Sequence, residues 1–157
     1  MRGRLLPVVL LAAVAALPTV AVVAASARTR AAPRAATGAA AVSVRRVRLG
    51  RILVDGSGRT LYLFEKDRGG RSACSGACAK GWPPLMTSGR PRAMGAALAR
   101  LLGTTRRASG TQVTYAGHPL YRFSGDTRAG QTNGEGSSAF GAGWYVLAPS
   151  GRKIDRS

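Results

Sequence analysis

A sixteen-residue segment occurs twice in this chain, and that duplication constrains the fold more than any other feature. Residues 52–67, ILVDGSGRTLYLFEKD, align without gaps on residues 111–126, TQVTYAGHPLYRFSGD, at an offset of 59. Val54/Val113, Gly58/Gly117, Leu61/Leu120, Tyr62/Tyr121, Phe64/Phe123 and Asp67/Asp126 are identical, six matches in sixteen. Two copies this far apart are too few and too widely spaced for a solenoid, which stacks several shorter units. The pattern predicts one small domain made of two pseudo-symmetric, hairpin-containing repeats, about 50–86 and about 102–149.

Each copy reads as strand, tight turn, strand. Gly58 and Gly117 stand where a type II turn needs a positive φ, which Ala116 is not expected to supply. After the turn, Tyr62 and Phe64, like Tyr121 and Phe123, sit two residues apart and so on one face of a strand. Such pairs serve as core or as a stacking platform for a ligand, and core packing is the simpler reading. Asp67 and Asp126 follow the strands, where a carboxylate closes an Asx turn by accepting a backbone N–H. The sharper alternative is convergence of the two as a paired-carboxylate site.

The segment between the copies carries Cys74, Cys78, the stiff Trp82-Pro83-Pro84 corner, and Met94, Leu98, Leu101 and Leu102 at helical spacing. Gly95 and Gly103 bracket those apolar residues, so the spacing predicts at most a short helix feeding a strand near 102–107. In the second copy a glycine-rich loop, 130–143, takes the corresponding place before a last strand at Trp144–Leu147. The fold class is therefore mainly β with short helical segments.

Charge is distributed to match this division. The chain of 157 residues has a formal net charge of +18, but residues 1–50 hold eight basic residues and no acid. Arg2 and Arg4 precede an uncharged apolar run, 5–25, and Ala25-Ser26-Ala27 supplies small residues for cleavage. That is the layout of a secretory signal, expected over 1–27, with a retained membrane anchor as the competing reading. Residues 28–48 read as a flexible Ala/Arg-rich spacer, 49–151 as the duplicated domain and 152–157 as a basic tail. Export turns the expected partner of a basic chain from nucleic acid to anionic cell-envelope polymers or lipid headgroups. The bland alternative is a cationic face that only maintains solubility.

Tyr62-Leu-Phe64-Glu-Lys-Asp67 and Tyr121-Arg-Phe123-Ser-Gly-Asp126 both fit Tyr-x-(Phe/Trp/Tyr)-x-x-Asp. With Gly58–Tyr62, Cys74-Ser-Gly-Ala-Cys78, Trp82–Leu85, Gln112–Tyr115 and Gly117–Tyr121 around them, the chain resembles a bacterial family of secreted, often lipoprotein, repeats that carries this signature. The resemblance spans essentially 50–149 and implies a secreted or envelope-attached protein, without implying a reaction. The chain departs from the family pattern in three ways. No lipidation cysteine precedes Cys74; Ser109 stands in the usually acidic turn position of Arg107-Ala-Ser-Gly110; and Ala116 replaces the Asn expected before Gly-His-Pro.

Chemistry has few candidates. Cys74 and Cys78, the only cysteines, read as a disulfide in an exported chain, worth about 2 kcal/mol by loop-closure entropy. Metal-ligating thiolates and free or intermolecular thiols are the alternatives. A metal or haem site would need Cys74, Cys78 and His118, with a methionine such as Met86 or Met94. His118, the only histidine, follows the second turn beside Pro119, a position more typical of a surface residue than of a ligand. One histidine and no G-x-S-x-G elbow leave a serine triad unsupported. Gly134-Glu-Gly-Ser-Ser-Ala139 matches G-x-G-x-x-A by chance, outside any βαβ unit. The expectation is a non-enzymatic binding or structural module with no cofactor. Its alternative is a metal- or haem-linked extracytoplasmic redox protein.

Overall fold

The computed structural model describes residues 38–155, and the expected signal segment and residues 28–37 of the expected spacer lie outside them. Two long hairpins frame the domain. β1 (Ala41–Val47) pairs antiparallel with β2 (Gly50–Asp55), and β6 (Leu102–Arg107) pairs in the same way with β7 (Gly110–Tyr115). Each hairpin turns through two residues and re-enters on a glycine of positive φ, Gly50 at 112° and Gly110 at 126°. Shorter pieces fill the space between: β3 (Tyr62–Phe64), α1 (Ala77–Gly81), β4 (Met86–Thr87), β5 (Arg92–Ala93), β8 (His118–Pro119) and β9 (Trp144–Val146). The apolar stretch before β6 forms a single 3₁₀ turn, Ala99–Leu101, as its flanking glycines require. The chain is thus mainly β with short helical segments. No helix among the described residues is long and apolar enough to cross a membrane.

The two copies exchange their closing strands. β4, at the end of the first copy, pairs with β7 of the second, while β9, at the end of the second, pairs with β3 of the first. The same exchange continues in single hydrogen bonds. Val113 N–H donates to Leu85 O at 2.8 Å, and Leu53 N–H donates to Leu147 O at 2.9 Å. Leu61 N–H then returns to Leu53 O, and Leu120 N–H to Val113 O, both at 3.0 Å. Neither copy completes its own sheet. Each one's last strand satisfies backbone groups that the other would otherwise bury unpaired.

These bonds correct the gapless alignment. Leu53, not Val54, is the equivalent of Val113, so the hairpins correspond at an offset of 60 and the segments after the turn at 59. The register slip lies in the turns. Asp55 to Arg59 is a three-residue loop closed by Asp55 N–H to Arg59 O, whereas Tyr115 pairs directly with His118 around Ala116-Gly117. That two-residue turn requires positive φ at both central positions, and Ala116 adopts 50° beside Gly117 at 81°. Ala116 therefore supplies a conformation it was expected to avoid.

Three further expectations change. Residues 41–47 are a paired strand rather than spacer, because Val42 fills the core and Val44 packs against it. The expected basic tail is part of the fold at least to Ile154, whose N–H donates to Val146 O at 2.8 Å. The strand expected through Tyr121–Phe123 shrinks to isolated bridges from Tyr121 to Tyr62 and Pro84.

The alternating strand pattern divides the core into two layers. Val42, Leu53, Leu61, Leu63, Leu85, Val113, Leu120 and Leu147 form an aliphatic cluster with Tyr115. Ile52, Val54 and Val146 join the remaining buried aromatics and both cysteines in the other.

Candidate functional site

The repeat motif converges on a local pseudo-twofold axis. Tyr62 and Tyr121 face each other as an antiparallel pair, with Tyr62 N–H to Tyr121 O at 2.8 Å and Tyr121 N–H to Tyr62 O at 3.0 Å. From there the side chains cross over. The Tyr62 hydroxyl donates to Asp126 Oδ2 at 2.6 Å, and the Tyr121 hydroxyl donates to Asp67 Oδ2 at 2.8 Å. Each motif tyrosine is answered by the aspartate of the other copy. The second carboxylate oxygens hold the following loops: Asp67 accepts Ala73 N–H at 2.7 Å, and Asp126 accepts Asn133 N–H at 2.9 Å. These bonds reach six and seven residues along the chain, so the expected Asx turns are replaced by longer loop closures. Each carboxylate bonds the tyrosine of the other copy and the loop that follows it, an arrangement that gives no support to a paired-carboxylate site.

The aromatic faces obey the same symmetry. Trp82 and Trp144 stack at 3.9 Å with planes 7° apart. Phe64 of the first copy stacks on Trp144 at 4.0 Å, and Phe123 of the second lies against Trp82 at 4.4 Å. Tyr62 and Tyr121 meet Trp82 and Trp144 edge-on, at 5.3 and 5.1 Å. The expected aromatic pairs are therefore core. The gapless alignment hides the tryptophans as partners because they correspond at an offset of 62, as do Leu85 and Leu147. The signal was present as Trp-x-x-Leu in both copies, displaced by three extra residues in the second loop. Gly134 is forced by this stack, since a Cβ there would stand 2.6 Å from the Trp82 ring.

The symmetry breaks in the polar surroundings. Beside Asp67, the Arg107 guanidinium donates to Cys74 O at 2.6 Å, to Gln112 Oε1 at 2.9 Å and to Ser72 Oγ. Ser72 Oγ itself lies 2.7 Å from the Tyr121 hydroxyl. Positions equivalent to Arg107 and Gln112 in the first hairpin are Val47 and Ile52, so the second carboxylate has no such support. Asp126 has Arg59 as its nearby cation instead. Cys74 and Cys78 form a disulfide with Cα atoms 5.3 Å apart, fixing the loop that presents Ser72 and the Cys74 carbonyl to Arg107. Their sulfurs are bonded to each other rather than free as thiolates. His118 also borders Asp67, half-buried in a cleft with Glu65, Arg68 and Lys153. Among the described residues no three His, Cys, Asp or Glu side chains group as ligands for a cation. The Cys74, Cys78 and His118 alternative is therefore not assembled.

Burial sets the proton affinities. It raises Asp67 and Asp126 above the ordinary carboxylate range, against the opposing effect of their hydrogen bonds and nearby cations. Burial raises Glu135 likewise. Tyr62 and Tyr121 are pushed far up, by burial first and by the neighbouring aspartates in addition. A carboxyl with a raised folded-state pKa binds more protons folded than unfolded between its two values, so stability falls as pH rises through that window. Thermal melting at constant ionic strength should show the midpoint rising as pH is lowered from 7 toward about 4. Asp126→Asn should flatten part of that rise.

A scan of family models matches residues 43–86 and 103–148 to a family described as a secreted repeat of unknown function. The chain belongs to this family of secreted repeats. The two matched segments begin 60 residues apart and end 62 apart, following the structural equivalence through both loops. No curated protein and no solved structure matches the chain. Within the secreted repeat, the Tyr-x-Phe-x-x-Asp signature joins one copy to the other alongside the exchanged strands.

Proposed function

We propose that this secreted repeat is a non-enzymatic binding module of the cell envelope, exported by its N-terminal segment and held by charge near anionic envelope polymers. The observation that carries the reading is the segregation of charge. Of the eighteen basic side chains among residues 38–155, fifteen are exposed. Of the six carboxylates only Glu65 and Asp155 are exposed, and both are bonded to Lys153. The other four make internal bonds, among them Asp55 to Arg122 at 2.5 Å. The exposed charge of the described residues is left predominantly cationic.

Two placements sharpen the attraction. Arg46 stands directly opposite Arg51 across β1 and β2, and Arg68 opposite Arg71 across a tight Gly69-Gly70 turn. Like charges directly opposed on a sheet repel, and an anion between them relieves the repulsion. The protein should adsorb to a phosphodiester polymer at about 0.01 M salt, where the Debye length is about 30 Å, and release at about 1 M, where it is about 3 Å. Arg46→Gln with Arg51→Gln should lower the slope of log affinity against log salt by about two, one for each lost contact. Adsorption that ignores salt, or its absence at low salt, would contradict the proposal.

A further inference from the structure

Four oxidisable rings meet at the pseudo-twofold axis in an unbroken series: Tyr62, Trp82, Trp144 and Tyr121, with successive centroids 5.3, 3.9 and 5.1 Å apart. All four are buried, and both ends of the series terminate in a carboxylate that accepts the tyrosine proton's hydrogen bond. Phe64 and Phe123, which resist oxidation, cover the outer faces of the two tryptophans. We propose that this series is a one-electron trap, in which an oxidising equivalent reaching the core settles on Tyr62 or Tyr121 as a neutral tyrosyl radical.

The oxidant is of the peroxide-derived radical class met outside the cell. It takes one electron from the stacked tryptophans and is itself reduced by one electron. Tyrosine refills the tryptophan, and its hydroxyl proton moves along the existing hydrogen bond, Tyr62 to Asp126 or Tyr121 to Asp67. The O–H bond breaks, a carboxyl O–H forms, and the products are a tyrosyl radical and a neutral carboxyl. The core loses a negative charge instead of gaining a positive one, the direction a low-dielectric interior favours. Burial that raises the proton affinity of both aspartates assists the transfer.

The other two tyrosines lack this provision. Tyr115 is equally buried, but its hydroxyl donates to Pro149 O at 2.7 Å, and a backbone carbonyl is too weak a base to take the proton. Tyr145 carries the Lys153 ammonium 4.0 Å over its ring, and a cation there opposes removal of an electron. The pairing of tyrosine with carboxylate is confined to the motif positions, independently of the surface charge.

Flash oxidation of the full chain by a photogenerated ruthenium(III) polypyridyl, followed by electron paramagnetic resonance, tests this. The expected signal is a neutral tyrosyl radical, retained in Tyr115→Phe/Tyr145→Phe and lost in Tyr62→Phe/Tyr121→Phe, where an indolyl radical takes its place. Loss in the first variant, or retention in the second, overturns the proposal. Electron–nuclear double resonance on the unaltered chain adds a readout that needs no variant. It should find an exchangeable proton hydrogen-bonded to the phenoxyl oxygen, and its absence overturns the proposal.

Discussion

Trp144→Ala is expected to lower the unfolding free energy by about 3–5 kcal/mol, the range for emptying a buried tryptophan site. The ring is stacked between Trp82 and Phe64 and receives the edge of Tyr121, so three contacts worth about 0.5–1.5 kcal/mol each beyond area disappear together. The surroundings cannot collapse to fill the space, because they are the rigid faces of other rings and the backbone of the β3–β9 pair. The indole N–H also donates to Ala139 O at 2.8 Å, leaving that carbonyl without its partner. Against a total of about 5–15 kcal/mol for an ordinary domain, the loss is a large share. Urea titration should show the midpoint falling with the slope unchanged. Trp82→Ala should behave alike, while Phe140→Ala, at an exposed ring, should stay within about 0.5 kcal/mol.

The second large effect is asymmetric. Asp126→Ala leaves the buried Tyr62 hydroxyl without its acceptor, at about 1–3 kcal/mol, and also frees the part-buried Asn133 N–H. Asp67→Ala removes the same two kinds of bond, but Ser72 Oγ already lies within reach of the Tyr121 hydroxyl. The loss at position 67 should therefore be the smaller of the two. Asp126→Asn keeps an acceptor oxygen for Tyr62 and should cost less than the alanine. Paired denaturation curves of the two alanine variants measure the difference, and a larger loss at position 67 would contradict the assignment of Ser72 as the substitute acceptor.

Much of this was legible in the sequence, and the limits have physical causes. The duplication, the turn glycines and the apolar alternation gave two hairpin-containing copies, because strand period and turn chemistry are local. The strand at 102–107 and the short turn before it followed from the same signals. The exchange of closing strands was invisible, since β4 and β9 find partners more than twenty residues away and a local pattern does not say in which copy. The role of the motif aspartates was misread for the same reason. An Asx turn is the cheapest local use of a carboxylate after a strand, and only the fold brings a tyrosine from the other copy to its second oxygen. Val47, expected in a spacer, was hidden by the arginines around it at 45, 46 and 48, which point that segment's composition toward solvent although alternate residues face the core.

Tyr-x-Phe-x-x-Asp joins the two copies rather than finishing each one separately. A set of double-mutant cycles on unfolding free energy tests it directly. Tyr62→Phe with Asp126→Asn, and Tyr121→Phe with Asp67→Asn, should each show a coupling of about 0.5–3 kcal/mol. Tyr62→Phe with Asp67→Asn, two residues of one copy, should be additive within about 0.3–0.5 kcal/mol. Coupling within a copy and additivity across the copies would contradict the account.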